Sequence, residues 1–173
     1  YHTASPLPNN RFGAINPFDG SGQMGFATYK SNYSDFREYI STQLSIPLEA
    51  GKHYKVTFFL SNGSGGLYKF WSNNIGFHFS KYPLYQYEAE PLNAVPQFEI
   101  QEIVSHTNEW QEYTFNITPT EDVYFMTIGN FHDDDNTEIS PNGDGGAYYF
   151  IDKIIVKPTT YNLQLIGDKY LCY

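Results

Sequence analysis

Residues 52–61 read KHYKVTFFLS, and this stretch decides the fold. Tyr54, Val56, Phe58 and Leu60 fall on one side at a spacing of two, with Lys55, Thr57, Phe59 and Ser61 on the other. That spacing is the period of a pleated strand, whose successive side chains point to opposite faces. The same alternation runs through REYISTQLSI at 37–46, where Ile40, Thr42, Leu44 and Ile46 oppose Tyr39, Ser41, Gln43 and Ser45. In WQEYTFNI, residues 110–117, Tyr113, Phe115 and Ile117 point one way and Trp110, Glu112, Thr114 and Asn116 the other.

Working outward, further strand-like runs lie at 23–30, 74–80, 97–104, 122–131 and 147–157, with a weaker ninth at 161–166. Turn residues separate them and no helical period intervenes. This pattern predicts an all-β fold, an antiparallel β-sandwich (jelly roll) of eight or nine strands. Residues 1–22 read as a loop that packs through Phe12, Ile15 and Phe18. Residues 1–158 are expected to form one module, and 159–173 a C-terminal extension or linker. The first residues, YHTASPLPNN, resemble a mid-protein loop rather than a leader, so the chain reads as a mature form or a fragment.

Composition narrows the function. The 173 residues include 16 Tyr and 14 Phe, residue types that suit half-buried pleated surfaces. Ten Lys and Arg stand against 19 Asp and Glu, a net charge of −9. A nucleic-acid binder needs clustered cations to displace counterions from phosphate, and no such cluster occurs. Cys172 is the single cysteine, which excludes an internal disulfide and any Cys/His zinc spacing. No run of 18 apolar residues exists to span a membrane. Neither GxSxG nor HExxH is present. Glu88 and Glu90 stand two apart on one loop, not across a cleft as a glycosidase pair requires. A small hydrolase is therefore the weakest reading, and the expectation is a non-enzyme. The sequons at Asn32, Asn62 and Asn116 matter only in a eukaryotic secretory setting.

Three features remain that can carry chemistry. In AYYFIDKIIV, Asp152 is expected on the face of Tyr148, Phe150, Ile154 and Val156. A carboxylate in that apolar register must be paired, hydrogen-bonded or metal-bound. Calcium is one partner, held with Asp19 and the carbonyls around Gly20 to Gly22 in PFDGSGQMG. The alternative is a carboxylate capping backbone amides at a sandwich edge. The acidic run HDDDNTEISPNGDGG fails as an EF-hand, since Glu138 stands where the sharp turn needs Gly, and is expected to be a solvated loop. Aromatic loops carry Tyr68, Phe70 and Trp71, then Tyr82, Tyr85 and Tyr87. Rings beside amide side chains suit sugars, the ring taking the C–H face while amides and carboxylates bond the hydroxyls. The same residues fit two other readings, rings tucked against the sheets or a protein-interaction surface.

The segments LPNNRFG, NPFDGSGQMGF, REYISTQLSIPLEAGKHYKVTFFLS, NIGFHFS, NEWQEYTFNITPTEDVYFMTIGNF and AYYFIDKIIV occur in this order over residues 8–157. Together they resemble the carbohydrate-binding-module-like jelly rolls of Bacteroidetes envelope proteins, often attached to OmpA-family or secretion-sorted chains. More distantly they are similar to family 4/9 carbohydrate-binding modules and galactose-binding-like folds. The resemblance implies a structural calcium ion with Asp152 as a side-chain ligand. It also implies a non-catalytic, extracytoplasmic role, with a glycan or an envelope protein as partner. The alternative it raises is an interaction or structural subunit of an outer-membrane assembly such as the type IX secretion or gliding machinery. The chain departs from the family pattern in two places. Lys153 stands where a second Asp is usual, and an opening acid-bearing strand is absent, so that strand lies upstream or the ion site is incomplete.

Overall fold

Each of the eight alternating runs between residues 23 and 157 folds as a strand in the computed structural model, which describes residues 9–10, 12–63, 68–140 and 145–159. They are β3 (Met24–Lys30), β4 (Ile40–Leu48), β5 (Tyr54–Gly63), β6 (Ile75–Ser80), β7 (Phe98–Ile100), β8 (Gln111–Ile117), β9 (Val123–Gly129) and β10 (Gly146–Pro158). Ahead of them β1 (Asn9–Asn10) and β2 (Gly13–Ala14) pair as a short hairpin within the segment expected to be loop. The expected ninth strand at 161–166 lies outside the described residues.

Two four-stranded antiparallel sheets result, in the orders β3-β10-β5-β8 and β4-β9-β6-β7. From β3 onward every connection crosses from one sheet to the other except that between β6 and β7. This is a jelly-roll β-sandwich. The core lies between the sheets, where Val56, Phe58 and Leu60 of β5 are fully buried against β6, β8 and β9. The Phe58 ring lies 4.5 Å from Phe77 and 5.5 Å from Tyr113, and Phe98 stacks on Phe115 at 4.1 Å. Burying each such side chain contributes about 1.5–3 kcal/mol. The Tyr149 hydroxyl, buried at one end of this core, accepts the Ser72 N–H at 2.7 Å and faces the carbonyls of Ser72 and Val104 at 3.0 and 2.9 Å.

Two strands depart from strict alternation, and both departures re-aim side chains. Along β4 the ladder to β9 jumps from Gln43–Phe125 to Leu48–Val123, five steps on β4 against two on β9. The surplus residues bow outward, so Ile46 is 76% exposed and Leu48 takes the buried place. Along β10 the ladder to β5 jumps from Asp152–Phe59 to Ile155–Thr57, three steps against two, with Lys153 at φ 48. One extra residue in a strand exchanges its faces. Ala147, Tyr149 and Ile151 face the core before the bulge, and Ile154 and Val156 pack against it afterwards. Asp152 thus shares the outer face with Tyr148 and Phe150, half-buried, and not the face of Ile154 and Val156 as alternation predicts.

Candidate functional site

The outer face of the β3-β10-β5-β8 sheet is partly covered by the segment that precedes β3. Phe18 stacks on Phe59 at 3.7 Å, and Trp110 donates from Nε1 to the Asn16 carbonyl at 2.9 Å. Asp152 fastens this segment. Its Oδ2 accepts the backbone N–H of Phe18 at 2.8 Å and of Asp19 at 3.1 Å, while Oδ1 accepts the N–H of Lys153 at 2.7 Å. The Asp19 carboxylate faces Lys153 Nζ at 3.2 Å. The fold therefore brings the two expected metal ligands together, but around hydrogen-bond donors. Calcium takes six to eight oxygen ligands. Here three N–H groups aim their positive ends at Asp152, and an ammonium already stands beside Asp19. Gln23 lies one residue beyond the Met24–Ile151 pair, and its side-chain amide is buried without a partner. One orphaned amide oxygen does not complete a cage, and the donor set does not fit a calcium ion. It fits the capping alternative.

The described part of the acidic run, residues 132–140, is not a loose solvated loop. Arg37, fully buried, donates from Nε to His132 O at 2.9 Å, from Nη1 to Phe36 O at 2.8 Å and Asp134 Oδ1 at 2.9 Å, and from Nη2 to Thr137 Oγ1 at 3.1 Å. Asp35 and Asp134 exchange backbone N–H donors with each other's carboxylates at 3.0 and 2.8 Å. Asp133 caps Asn136 through N–H at 2.9 Å. The carboxylates here cap amides and neutralise a buried guanidinium. Sequence reading missed Arg37, because nothing in the alternation of 37–46 distinguishes a buried arginine from an exposed one.

The connection between β6 and β7, residues 81–97, stays with one sheet and folds as a strap over its outer face. Pro96 lies on Gly76 and the Tyr39 ring on Gly129, contacts that a Cβ at either glycine would block. Along the strap, Ala89 O accepts the Arg37 N–H at 2.6 Å, and Gln86 Nε2 donates to Arg37 O and Glu90 O, both at 2.9 Å. The Leu92 N–H donates to Tyr39 Oη at 2.9 Å and His78 Nδ1 to Val95 O at 2.8 Å. The Gln97 amide spans the N–H and carbonyl of Phe79 at 2.7 and 2.9 Å, imitating a strand partner. Burial pushes the Tyr39 hydroxyl up to about 12, against the smaller opposing effects of the Leu92 amide and Arg37.

On this anchored strap Tyr82, Tyr85 and Tyr87 are 70%, 75% and 87% exposed. Of the aromatic residues singled out in the sequence, the fold gathers these three. Tyr68 is half-buried, its ring 5.0 Å from Phe12 and 5.5 Å from Tyr148. Trp71, at the margin of exposure, sits on another loop whose backbone is tied to Ser140. Beside the strap, half-buried Phe125 lies on the outer face in register with Gln43 of β4 and Ser80 of β6. Ser80 Oγ donates to Tyr82 O at 2.8 Å, joining this strip to the strap. The result is a surface of phenol rings, one phenyl ring, an amide and a hydroxyl, edged by the exposed carboxylates of Glu88 and Glu90. It can stack on a ring-shaped ligand and hydrogen-bond its edges. Phe125 was not foreseen. Its run reads as a strand, but which of Phe125 and Met126 faces out depends on register.

No family model and no curated protein matches this chain. Among solved structures it is similar to a chain described as "CBM4 structure and function", with 17% identity, TM-score 0.42, and coverage of 72% of this chain and 63% of that one. It is also similar to the CBM22-1–GH10 modules of a Clostridium thermocellum endo-1,4-beta-D-xylanase complexed with xylohexaose, at 17% identity and TM-score 0.45. That match covers 90% of this chain and 25% of the other. A family 16 carbohydrate binding module matches at 10% identity and TM-score 0.40, covering 83% and 84%.

Proposed function

We propose that this protein is a non-catalytic binding module of an extracytoplasmic bacterial envelope protein, and that it takes a glycan on the strap and the strip beside it. The observation that carries this reading is the display of Tyr82, Tyr85 and Tyr87, exposed on a strap whose backbone is held from several sides. A backbone held before binding loses little freedom when a ligand docks, which favours a weak, stacking-driven site. Phe125 between Gln43 and Ser80 extends the surface with the ring-plus-amide chemistry that sugars need. Calcium has no part in this reading. The test is titration calorimetry against a panel of soluble oligosaccharides, repeated with Tyr85→Ala and Tyr87→Ala. Loss of one stacking ring is expected to weaken binding about tenfold, or roughly 1.4 kcal/mol, with Tm unchanged because both rings are exposed. Binding that survives both substitutions removes the strap from the site.

A second reading is favoured by one observation. Ile46 and Val95 are 76% and 82% exposed, and neither offers anything to a sugar hydroxyl. In this reading the module contacts a protein within an outer-membrane assembly such as the type IX secretion or gliding machinery. Affinity capture from envelope extracts distinguishes it: a partner lost on Val95→Asp or Ile46→Asp supports it, and capture indifferent to both sets it aside.

A further inference from the structure

The charge of this protein is concentrated around the tyrosine strap. Segments 31–39, 81–97 and 130–140 meet there through the Arg37 N–H to Ala89 O contact, the Arg37–Asp134 ion pair and the Tyr39–Leu92 bond. Together they hold eight Asp and Glu against two cations, Arg37 and Lys81, a balance of −6 out of the total −9. Arg37 is fully buried and paired with Asp134, so it offers nothing to a ligand. Lys81 is left as the accessible cation of the three segments, with its Nζ 5.8 Å from the centre of the Tyr82 ring. Glu88 and Glu90 flank Ala89 on the strap, are exposed, and have carboxylates without a hydrogen bond or ion pair among the described residues.

We infer that the strap is a charge filter, a specificity of the proposed glycan site and resting on that proposal: it admits uncharged or amine-bearing sugar chains and turns away those carrying uronate, sulfate or phosphate groups. A polyanionic chain laid on Tyr85 and Tyr87 brings a negative group at each ring into this acidic field, where Lys81 is the strap's own accessible cation and Lys30, its Nζ 4.1 Å from the Tyr33 ring centre, stands on the 31–39 side. Like charges juxtaposed on docking weaken the wrong partner's binding, so repulsion supplies specificity that attractive contacts alone do not. The groups are at the surface, so the effect is screened with a Debye length of about 8 Å at physiological ionic strength. Selectivity therefore grows as salt falls.

The experiment compares three chains with one linkage: cellohexaose, cellohexaose oxidised to the carboxylate at C6, and the β-1,4 glucosamine hexamer. Affinities are measured at low and high salt, for the native protein and for the triple variant Glu88→Gln, Glu90→Gln, Asp135→Asn. The expected result is that the oxidised hexamer binds weaker than cellohexaose by a factor on the order of ten at low salt. That gap narrows at high salt and in the triple variant, while the glucosamine hexamer binds at least as well as cellohexaose. Equal binding of the oxidised and neutral hexamers overturns the filter and leaves the glycan site standing. A gap indifferent to salt and to the triple variant overturns it as well, since the discrimination is then steric. Failure of all three hexamers to bind, with no other chain of the oligosaccharide panel bound either, removes the glycan site and the filter with it.

Discussion

Asp152→Asn separates two accounts of how the segment before β3 is held. In the native protein the two carboxylate oxygens accept three backbone N–H groups at 2.7, 2.8 and 3.1 Å. Asparagine offers one oxygen and one NH2, so at least one backbone N–H must face another donor. Hydrogen bonds to a charged group contribute about 1.5–3 kcal/mol each in favourable settings. These three share one half-exposed carboxylate and are not additive, so a total of about 2–3 kcal/mol is expected. For a domain of this size 1 kcal/mol shifts Tm by about 2–4 °C, which places the loss at roughly 4–12 °C. Differential scanning calorimetry in calcium and in excess chelator gives the decisive comparison. A bound ion at 100 times its Kd would add about 2.7 kcal/mol, a shift of the same size. The amide-cap account expects the native Tm to be the same in both buffers and the variant to be lowered equally in both. A native Tm that falls on chelation, with an Asp152→Asn Tm that does not respond, refutes this account and restores the ion.

Other consequences are as direct. Arg37→Met strands Asp134 and the three oxygens that the guanidinium satisfies, and should cost about 3–5 kcal/mol in chemical denaturation. Arg37→Lys should recover little, because an ammonium cannot span the same fork of acceptors. Phe58→Ala empties the centre of the sandwich and should lower stability by about 3–5 kcal/mol at unchanged oligosaccharide affinity. Alkali should also unfold the domain. Burial raises the hydroxyls of Tyr39, to about 12, and of Tyr149 above the ordinary value of 10.0. The folded state then keeps protons that the unfolded state releases, so stability is intact below pH 10 and falls as pH rises towards 12. Tyr39→Phe should flatten that fall in Tm, and an unchanged slope would show that other groups carry it.

Much of the architecture was legible because it rests on local periodicity. Tyr54, Val56, Phe58 and Leu60 repeat at the strand period, and burying that face leaves a single orientation for β5. The same holds for Tyr113, Phe115 and Ile117 on β8. Reading failed where one residue more or less in a ladder reverses the faces. The bulge at Asp152 and Lys153 places the carboxylate outside the core, and the surplus in β4 turns Ile46 outward. Both follow from pairing with a distant strand, which spacing within one strand does not reveal.

The same division applies to the candidate site. Tyr82, Tyr85 and Tyr87 stand out in the sequence as rings beside amide side chains on a loop between two strands. Tyr68 looked equivalent, yet the fold packs it against Phe12 and Tyr148. Phe125 and Arg37 acquire their roles only through neighbours distant in sequence: Gln43 and Ser80 beside the ring, and Asp134 and Thr137 around the guanidinium. By itself the sequence determined that the chain is a sandwich of about eight strands, acidic and rich in tyrosine, because hydrophobic alternation and charge are local properties. The tertiary structure alone decided that Asp152 accepts amides, that the acidic run encloses a buried arginine, and that residues 81–97 lie across a sheet. Those outcomes depend on which groups long-range pairing brings within hydrogen-bonding distance.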